Sequence, residues 1–167
     1  MAFSLLPKII VPALTDVSVE LLHSRSIKLL MLDFDNTIVP YTTSTPTQAM
    51  KDWFAVMAQS NIQLCIVSNS RKDRVKIFAS EYGLPCITHS RKPFSKGIKE
   101  CLAKFDADPG ECALVGDQIF TDTLGANCCG VTSVLVKAID NHNIWLKLRH
   151  VLELPFIFLA RKRRIVK

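Results

Sequence analysis

Ile27-Lys28-Leu29-Leu30-Met31-Leu32 runs directly into Asp33-Phe34-Asp35-Asn36-Thr37, and the reading of that junction decides the fold. Six residues, five of them apolar, read as a strand buried on both faces, as in a parallel sheet. The strand delivers two carboxylates to its end, and in an open α/β sheet ligands bind at the carboxyl ends of the strands. Strand side chains alternate, so Asp33 and Asp35 leave on the same side. Two carboxylates that close repel each other and lose solvation. A hard, oxygen-seeking cation such as Mg²⁺ resolves both problems. On its own the segment fits a solvated Asp/Asn turn equally well.

Later segments repeat the pattern. Ile62-Gln63-Leu64-Cys65-Ile66-Val67 is a second apolar run and ends in Ser68-Asn69-Ser70. Ala113-Leu114-Val115 is a third, ending in Gly116-Asp117-Gln118-Ile119-Phe120-Thr121-Asp122. Between them Arg91-Lys92-Pro93 precedes a helical stretch from about Phe94 to Phe105. Another helix opens near Pro46 or Thr47, where a proline fits the first turn. Ala49, Trp53, Val56 and Met57 fall at helical spacing and are expected to face the sheet. Ser70 is placed to cap the following helix, with Val75, Phe78 and Ala79 as its buried stripe and Gly83 past its end. Short strands are expected near Leu84 to Ile87 and Val131 to Val136. Alternating strands and helices predict an α/β fold with a parallel sheet covered on both faces.

The strand ends thus carry a DxDxT, a serine and a GDxxxxD, with a lysine at a helix entrance before the last. This ordered set resembles the haloacid-dehalogenase-like (HAD) phosphatases over about Ile27 to Val136. Leu32-Asp33-Phe34-Asp35-Asn36-Thr37-Ile38-Val39 after an N-terminal Leu6-Pro7 segment, with Val115 to Asp122, looks most like the YqeG branch. That branch includes the phosphatidylglycerophosphate phosphatases of mitochondria and plastids. The resemblance implies a three-layer Rossmann-like HAD fold and a Mg²⁺-dependent phosphomonoesterase, with phosphatidylglycerophosphate as the expected substrate. HAD enzymes insert cap domains between the first and second motifs or between the second and third. Here Ser68 follows Asp33 by 35 positions and Lys92 follows Ser68 by 24, intervals already filled by helices and strands. No large cap domain is expected, so the site is open unless oligomerisation covers it.

The resemblance also implies roles. Asp33 is the expected nucleophile, forming an aspartyl-phosphate; a carboxylate is ionised at neutral pH and attacks without prior deprotonation. Mg²⁺ is expected on Asp33, Asp117 and the backbone carbonyl of Asp35. The Asp35 side chain protonates the leaving oxygen and then activates water. Ser68, Lys92 and the loop amides of Phe34 and Asp35 bind the phosphoryl group. Asn69 either joins them or makes an Asx turn. Thr37 is expected to stabilise its loop, and Asp122 to order a metal-bound water or hold the Asp117 loop. His23, His89, His142 and His150 are scattered and receive no catalytic role.

With 167 residues, 49% hydrophobic and 22% charged, the chain is expected to be a single domain over 1–167, with its core at about 27–136 and a helical, basic extension at 137–167. Cys65 lies in an expected core strand and Cys128-Cys129 are adjacent, so the six cysteines read as free thiols of a reducing compartment. No CxxC or Cys/His cluster has zinc-ligand spacing. The N-terminus has no basic region ahead of its apolar stretch, which argues against a signal peptide, and no run is long enough to span a bilayer. A cytoplasmic location is expected, with peripheral contact on the inner face of a membrane. Net charge is +6, and Arg149, Arg161, Lys162, Arg163, Arg164 and Lys167 crowd the last 19 residues. Following Leu154-Pro155-Phe156-Ile157-Phe158-Leu159-Ala160, such a cluster suits an anionic lipid surface. A solubilising tail is the alternative. Trp145, Leu148, Val151 and Leu152 follow helical spacing and are expected to pack on the domain. The lack of interleaved aromatics argues against specific nucleic acid binding. Two other functions remain open: a phosphatase of a soluble sugar phosphate or nucleotide, and a phosphate-binding scaffold without catalysis.

Overall fold

Four consecutive apolar residues, Leu29–Leu32, form strand β2, which is no more than 1% exposed at any of its four side chains. Such burial on both faces requires a layer on each side. In the computed structural model, which describes residues 3–71, 73–140 and 152–160, those layers are helices. Strands β1 (Ile9–Ile10), β2, β3 (Gln63–Val67), β4 (Cys86–Ile87), β5 (Cys112–Gly116) and β6 (Thr132–Leu135) form one sheet in the order β1-β6-β5-β2-β3-β4. Every pairing is parallel.

Alternation along β2 divides the core. Leu30 and Leu32 point into a cluster with Trp53, Phe54 and Met57 of α2 (Gln48–Ala58) and Val75 and Phe78 of α3 (Arg74–Glu81). Leu29 and Met31 point the other way, toward Ile98 and Cys101 of α4 (Lys96–Phe105) and Ala126 of α5 (Leu124–Cys128). The result is a three-layer α/β domain with the Rossmann-like strand arrangement expected. The interval from Asp33 to Ser68 holds only α2, β3 and loops. The interval to Lys92 holds only α3 and β4, so neither contains an inserted domain.

Three local expectations are corrected. The buried stripe of α2 is Met50, Trp53, Phe54 and Met57, whereas Ala49 is exposed and Val56 is 55% exposed. The indole Nε1 of Trp53 donates to Val17 O at 2.8 Å, tying that face to the N-terminal segment. Ser70 does not cap α3: the helix begins at Arg74 with Asp73 in the cap position, and Ser70 N instead donates to Ser68 Oγ. Finally, the sheet extends beyond the 27–136 core, because β1 pairs with β6 through Ile9–Val134 and Ile10–Leu135. The short helix α1 (Val19–His23), with Ser18 accepting from Leu21 N, leads from this edge strand back to β2. All six cysteines are free, four of them buried. Residues 152–160 form helix α6. The expected packing of Trp145, Leu148 and Val151, and the basic residues 161–167, lie outside the described residues.

Candidate active site

Strands β2, β3 and β5 are adjacent and parallel, so Asp33, Ser68 and Asp117, each one residue past its strand, emerge at one edge of the sheet. The chain runs from β2 outward through β3 to β4, then crosses back to β5 on the other side of β2. Asp33 and Asp117 therefore flank the point where strand order reverses, the usual ligand crevice of such sheets. The junction is closed by Asp33 N donating to Val115 O at 2.9 Å.

The loop after Asp117 is a single-turn π-helix, Ile119–Thr123, a form that concentrates at functional sites. It turns Asp122 back over the end of β5, where Asp122 Oδ2 accepts from Gln118 N at 3.2 Å. Only glycine fits beneath it: a Cβ on Gly116 would lie 2.3 Å from Asp122 Cγ. Carboxylate oxygens of Asp33, Asp117 and Asp122 fall within 4.8 Å of one another, and all three residues are buried. Lys92 Nζ lies 2.7 Å from Asp33 Oδ1 and 2.7 Å from Asp122 Oδ1. Burial pushes the Asp33 carboxyl up to about 7; Lys92 opposes this, while Asp122 and Asp35 add to it. Burial also acts to lower Lys92, but Asp122 and Asp33 outweigh it and hold the ammonium above the ordinary lysine range. The two rises have different causes: burial lifts Asp33, whereas the two neighbouring acids lift Lys92.

This donor set fits a divalent cation. Three clustered oxygen ligands of hard character carry more negative charge than one lysine offsets, and Mg²⁺ sites are built from such carboxylates. Asp35 stands apart from the trio; its Oδ1 lies 3.4 Å from Arg74 Nη2, and its side chain is 15% exposed.

Lys92 is positioned by Asn69. The Asn69 Oδ1 accepts from Lys92 N at 2.7 Å and from Ser90 Oγ at 2.8 Å, and its Nδ2 donates to Lys92 O at 2.9 Å. The amide thus clamps the 90–92 loop, and Asn69 lines the same cleft as Ser68 and Lys92. Ser68 is 1% exposed, and its Oγ accepts from Ser70 N at 3.0 Å, leaving the hydroxyl proton to donate. The Phe34 ring is fully buried, edge-on to Phe78 with centroids 5.2 Å apart, and the Phe34 carbonyl receives the Ile38 and Val39 amides. Asn36 takes φ +63°, a conformation Asn tolerates better than most residues, and its Nδ2 donates to Asp140 O. Thr37 is buried in the same turn.

Sequence reasoning missed Arg74. Its guanidinium donates to Tyr41 O, Pro40 O and Thr43 O and sits 5.1 Å from the centre of the Phe34 ring. It anchors the 40–43 loop beside Asp35. Tyr41, Gln118 and Thr121 were also missed; they line a cleft of about 150 Å³ together with Asp33, Lys92 and Asp122. Their roles depend on loop geometry, which no spacing in the sequence encodes. A larger hollow of about 320 Å³ lies between Phe54, Tyr82 and Phe105, but no charged residue lines it.

The sheet order and this strand-end constellation define a HAD-type phosphatase, a phosphoric monoester hydrolase. Comparison with known proteins refines the class. Residues 3–139 match the family described as mitochondrial PGP phosphatase. The chain is 34% identical over 131 residues to the probable phosphatase YqeG of Bacillus subtilis, covering 78% of this chain and 76% of that one. It is also 34% identical over 146 residues to the mitochondrial phosphatidylglycerophosphatase GEP4 of Saccharomyces cerevisiae, covering 78% and 77%. Among solved structures, a putative HAD superfamily (subfamily III A) hydrolase from Legionella pneumophila superposes with TM-score 0.54 at 14% identity, over 87% of this chain and 91% of that one. The cobalt-bound deoxy-D-mannose-octulosonate 8-phosphate phosphatase of Haemophilus influenzae gives 0.53 at 10% identity, over 75% of each. The chain belongs to the mitochondrial PGP phosphatase family.

Proposed function

We propose that the chain hydrolyses the phosphomonoester of phosphatidylglycerophosphate in a Mg²⁺-dependent reaction that passes through an aspartyl-phosphate on Asp33. The observation that carries this reading is the clustering of Asp33, Asp117 and Asp122 around Lys92 at one small cleft, lined by Asp33, Asp122 and Lys92, with no inserted domain over it. At about 150 Å³ the cleft is smaller than the roughly 300–1,000 Å³ of most small-molecule sites. It accommodates a phosphoryl group, and the remainder of the substrate stays outside.

Bound Mg²⁺ would be held by Asp33, Asp117 and the Asp35 carbonyl, with Asp122 beside them, and would neutralise the phosphoryl oxygens against the acidic cluster. An Asp33 oxygen forms the bond to phosphorus as the bond to the leaving alkoxide breaks, and the Asp35 carboxyl gives that alkoxide a proton. Water then attacks phosphorus as the bond to Asp33 breaks and its carboxylate is regenerated, Asp35 recovers a proton from the water, and inorganic phosphate leaves. Ser68 donates to a phosphoryl oxygen, and Lys92, held charged by its acidic neighbours, offsets the developing charge. The loop amides of Phe34 and Asp35 complete the cradle, while Asn69 and Thr37 act by holding the loops.

The family description and the name of the yeast relative support the lipid substrate. The surface supports it as well. No helix among the described residues is long and apolar enough to cross a membrane. Yet α6 exposes Leu152, Leu154, Phe158 and Leu159, the last two at 69% and 48%, immediately before the basic run Arg161-Lys162-Arg163-Arg164. Phe94, two residues beyond Lys92, is 73% exposed. Apolar side chains beside basic ones suit an anionic bilayer surface. The test compares turnover of phosphatidylglycerophosphate in vesicles with that of a panel of soluble sugar phosphates and nucleotides. Faster turnover of a soluble compound at saturation would overturn the lipid assignment. The absence of Mg²⁺-dependent hydrolysis of any phosphate, aryl phosphate included, would favour a non-catalytic scaffold.

A further inference from the structure

Four acids are buried among the described residues, and only one of them, Glu153, lies outside the cluster formed by Asp33, Asp117 and Asp122. It sits on α6 with 2% exposure, and its Oε1 accepts the Ile119 amide at 2.9 Å. Ile119 opens the π-helix that carries Asp122, and the first amides of any helix lack acceptors within it. Gln118, in the cap position, makes no side-chain cap bond; its Oε1 accepts instead from Thr121 Oγ1 at 3.1 Å. Glu153 therefore does from 34 positions away what a capping side chain does locally. Packing seats it there. The Phe156 and Phe120 rings meet edge-on with centroids 6.0 Å apart, and Ala160 joins Ile119, Leu135 and Ile10 in a separate apolar cluster. A buried carboxylate one hydrogen bond from a loop bearing two more is costly as a packing device, since apolar contact alone would seat the helix.

We propose that Glu153 is a positioning residue for the acidic loop. By accepting the Ile119 amide it fixes residues 117–122 so that the Asp117 and Asp122 carboxylates meet Asp33. The C-terminal helix is then part of the site's construction, besides offering its outer face to a surface. The inference rests on the cluster being a cation site.

The test uses the full chain with E153Q and E153L, titrating Mg²⁺ against thermal unfolding and against hydrolysis of a soluble aryl phosphate. Glutamine keeps the acceptor and loses the charge; leucine keeps the volume and loses the acceptor. E153Q is expected to stay within about twofold of wild type in half-saturating Mg²⁺. E153L is expected to need about tenfold more, the size of one lost hydrogen bond to a charged group. Its KM at saturating Mg²⁺ should change far less. If E153L fails to fold, Glu153→Asp withdraws the oxygen by one methylene while keeping the charge, and should shift the Mg²⁺ dependence in the same direction. A folded E153L, or E153D in its place, with unshifted Mg²⁺ dependence in both titrations would overturn the positioning role. A wild-type protein that shows no Mg²⁺ response in either titration would overturn the cation reading itself, a distinguishable result.

Discussion

Asp33 carries the sharpest local conflict in the molecule, because its carboxyl is buried among acids with one ammonium to share. Its value rises from 3.8 to about 7 on folding, burial being the main cause. A carboxyl raised in the fold stays protonated longer there than in the unfolded chain. The contribution of Asp33 to the stability of the metal-free protein should therefore fall as pH rises from about 4 to about 7, then level off. Asp33→Asn lacks that titration. In EDTA, the melting temperature of D33N minus that of wild type should be near zero at about pH 4 and positive at pH 8, and Mg²⁺ at pH 8 should narrow the gap by stabilising the wild type. A difference that stays flat across this range would contradict the assignment. Lys92→Met removes the shared ammonium and leaves two buried carboxylates facing each other; urea unfolding should show a loss of about 3–5 kcal/mol. The positions of Asp33, Ser68, Lys92 and Asp117 were legible in the sequence because they sit at strand ends or a helix entrance. The grouping of the Asp122 carboxylate, and not that of Asp35, with Asp33 and Asp117 was not legible. Nor was the clamp made by Asn69, because its partners lie 21 and 23 positions away.

At the scale of elements, the acidic loop depends on the backbone approach at Gly116. Gly116→Ala puts a methyl group 2.3 Å from Asp122 Cγ, so the π-helix must move. Overpacking of this kind costs about 1–3 kcal/mol. Because a displacement near 1 Å costs about 100-fold in rate, turnover should drop by that order. Wild-type turnover in a folded G116A protein would show that the loop tolerates the shift. Arg74 does comparable work for the 40–43 loop, holding three carbonyls while paired with Asp35. Element type was readable throughout the middle of the chain, but phase and ends were not. Ala49 and Val56 are apolar enough to suggest a stripe that tertiary packing assigns to Met50 and Phe54. Ser70 has cap chemistry, yet Ser68 Oγ captures its amide and the helix starts four residues later. Two-residue β1 has no periodicity to read and exists only through β6, some 125 positions downstream.

For the molecule as a whole, the absence of an inserted domain between the motifs leaves the cleft facing outward, a property readable from motif spacing alone. The docking of α6 onto the acidic loop was not readable, since it depends on contacts of long sequence separation such as Glu153 with Ile119. If that end of the molecule meets a bilayer, deleting residues 161–167 should weaken binding to anionic vesicles by about 1 kcal/mol per basic residue lost near the surface, while hydrolysis of a soluble phosphate changes little. Equal loss of both, or of neither, would dismiss the membrane role. The most direct test of the central claim is the rate of aryl phosphate hydrolysis as a function of Mg²⁺, measured side by side for wild type and D33N. Wild type should show saturable, Mg²⁺-dependent turnover that EDTA abolishes, and folded D33N should lie about 10⁴-fold or more below it. Turnover that is indifferent to Mg²⁺, or that survives in D33N, would contradict the account.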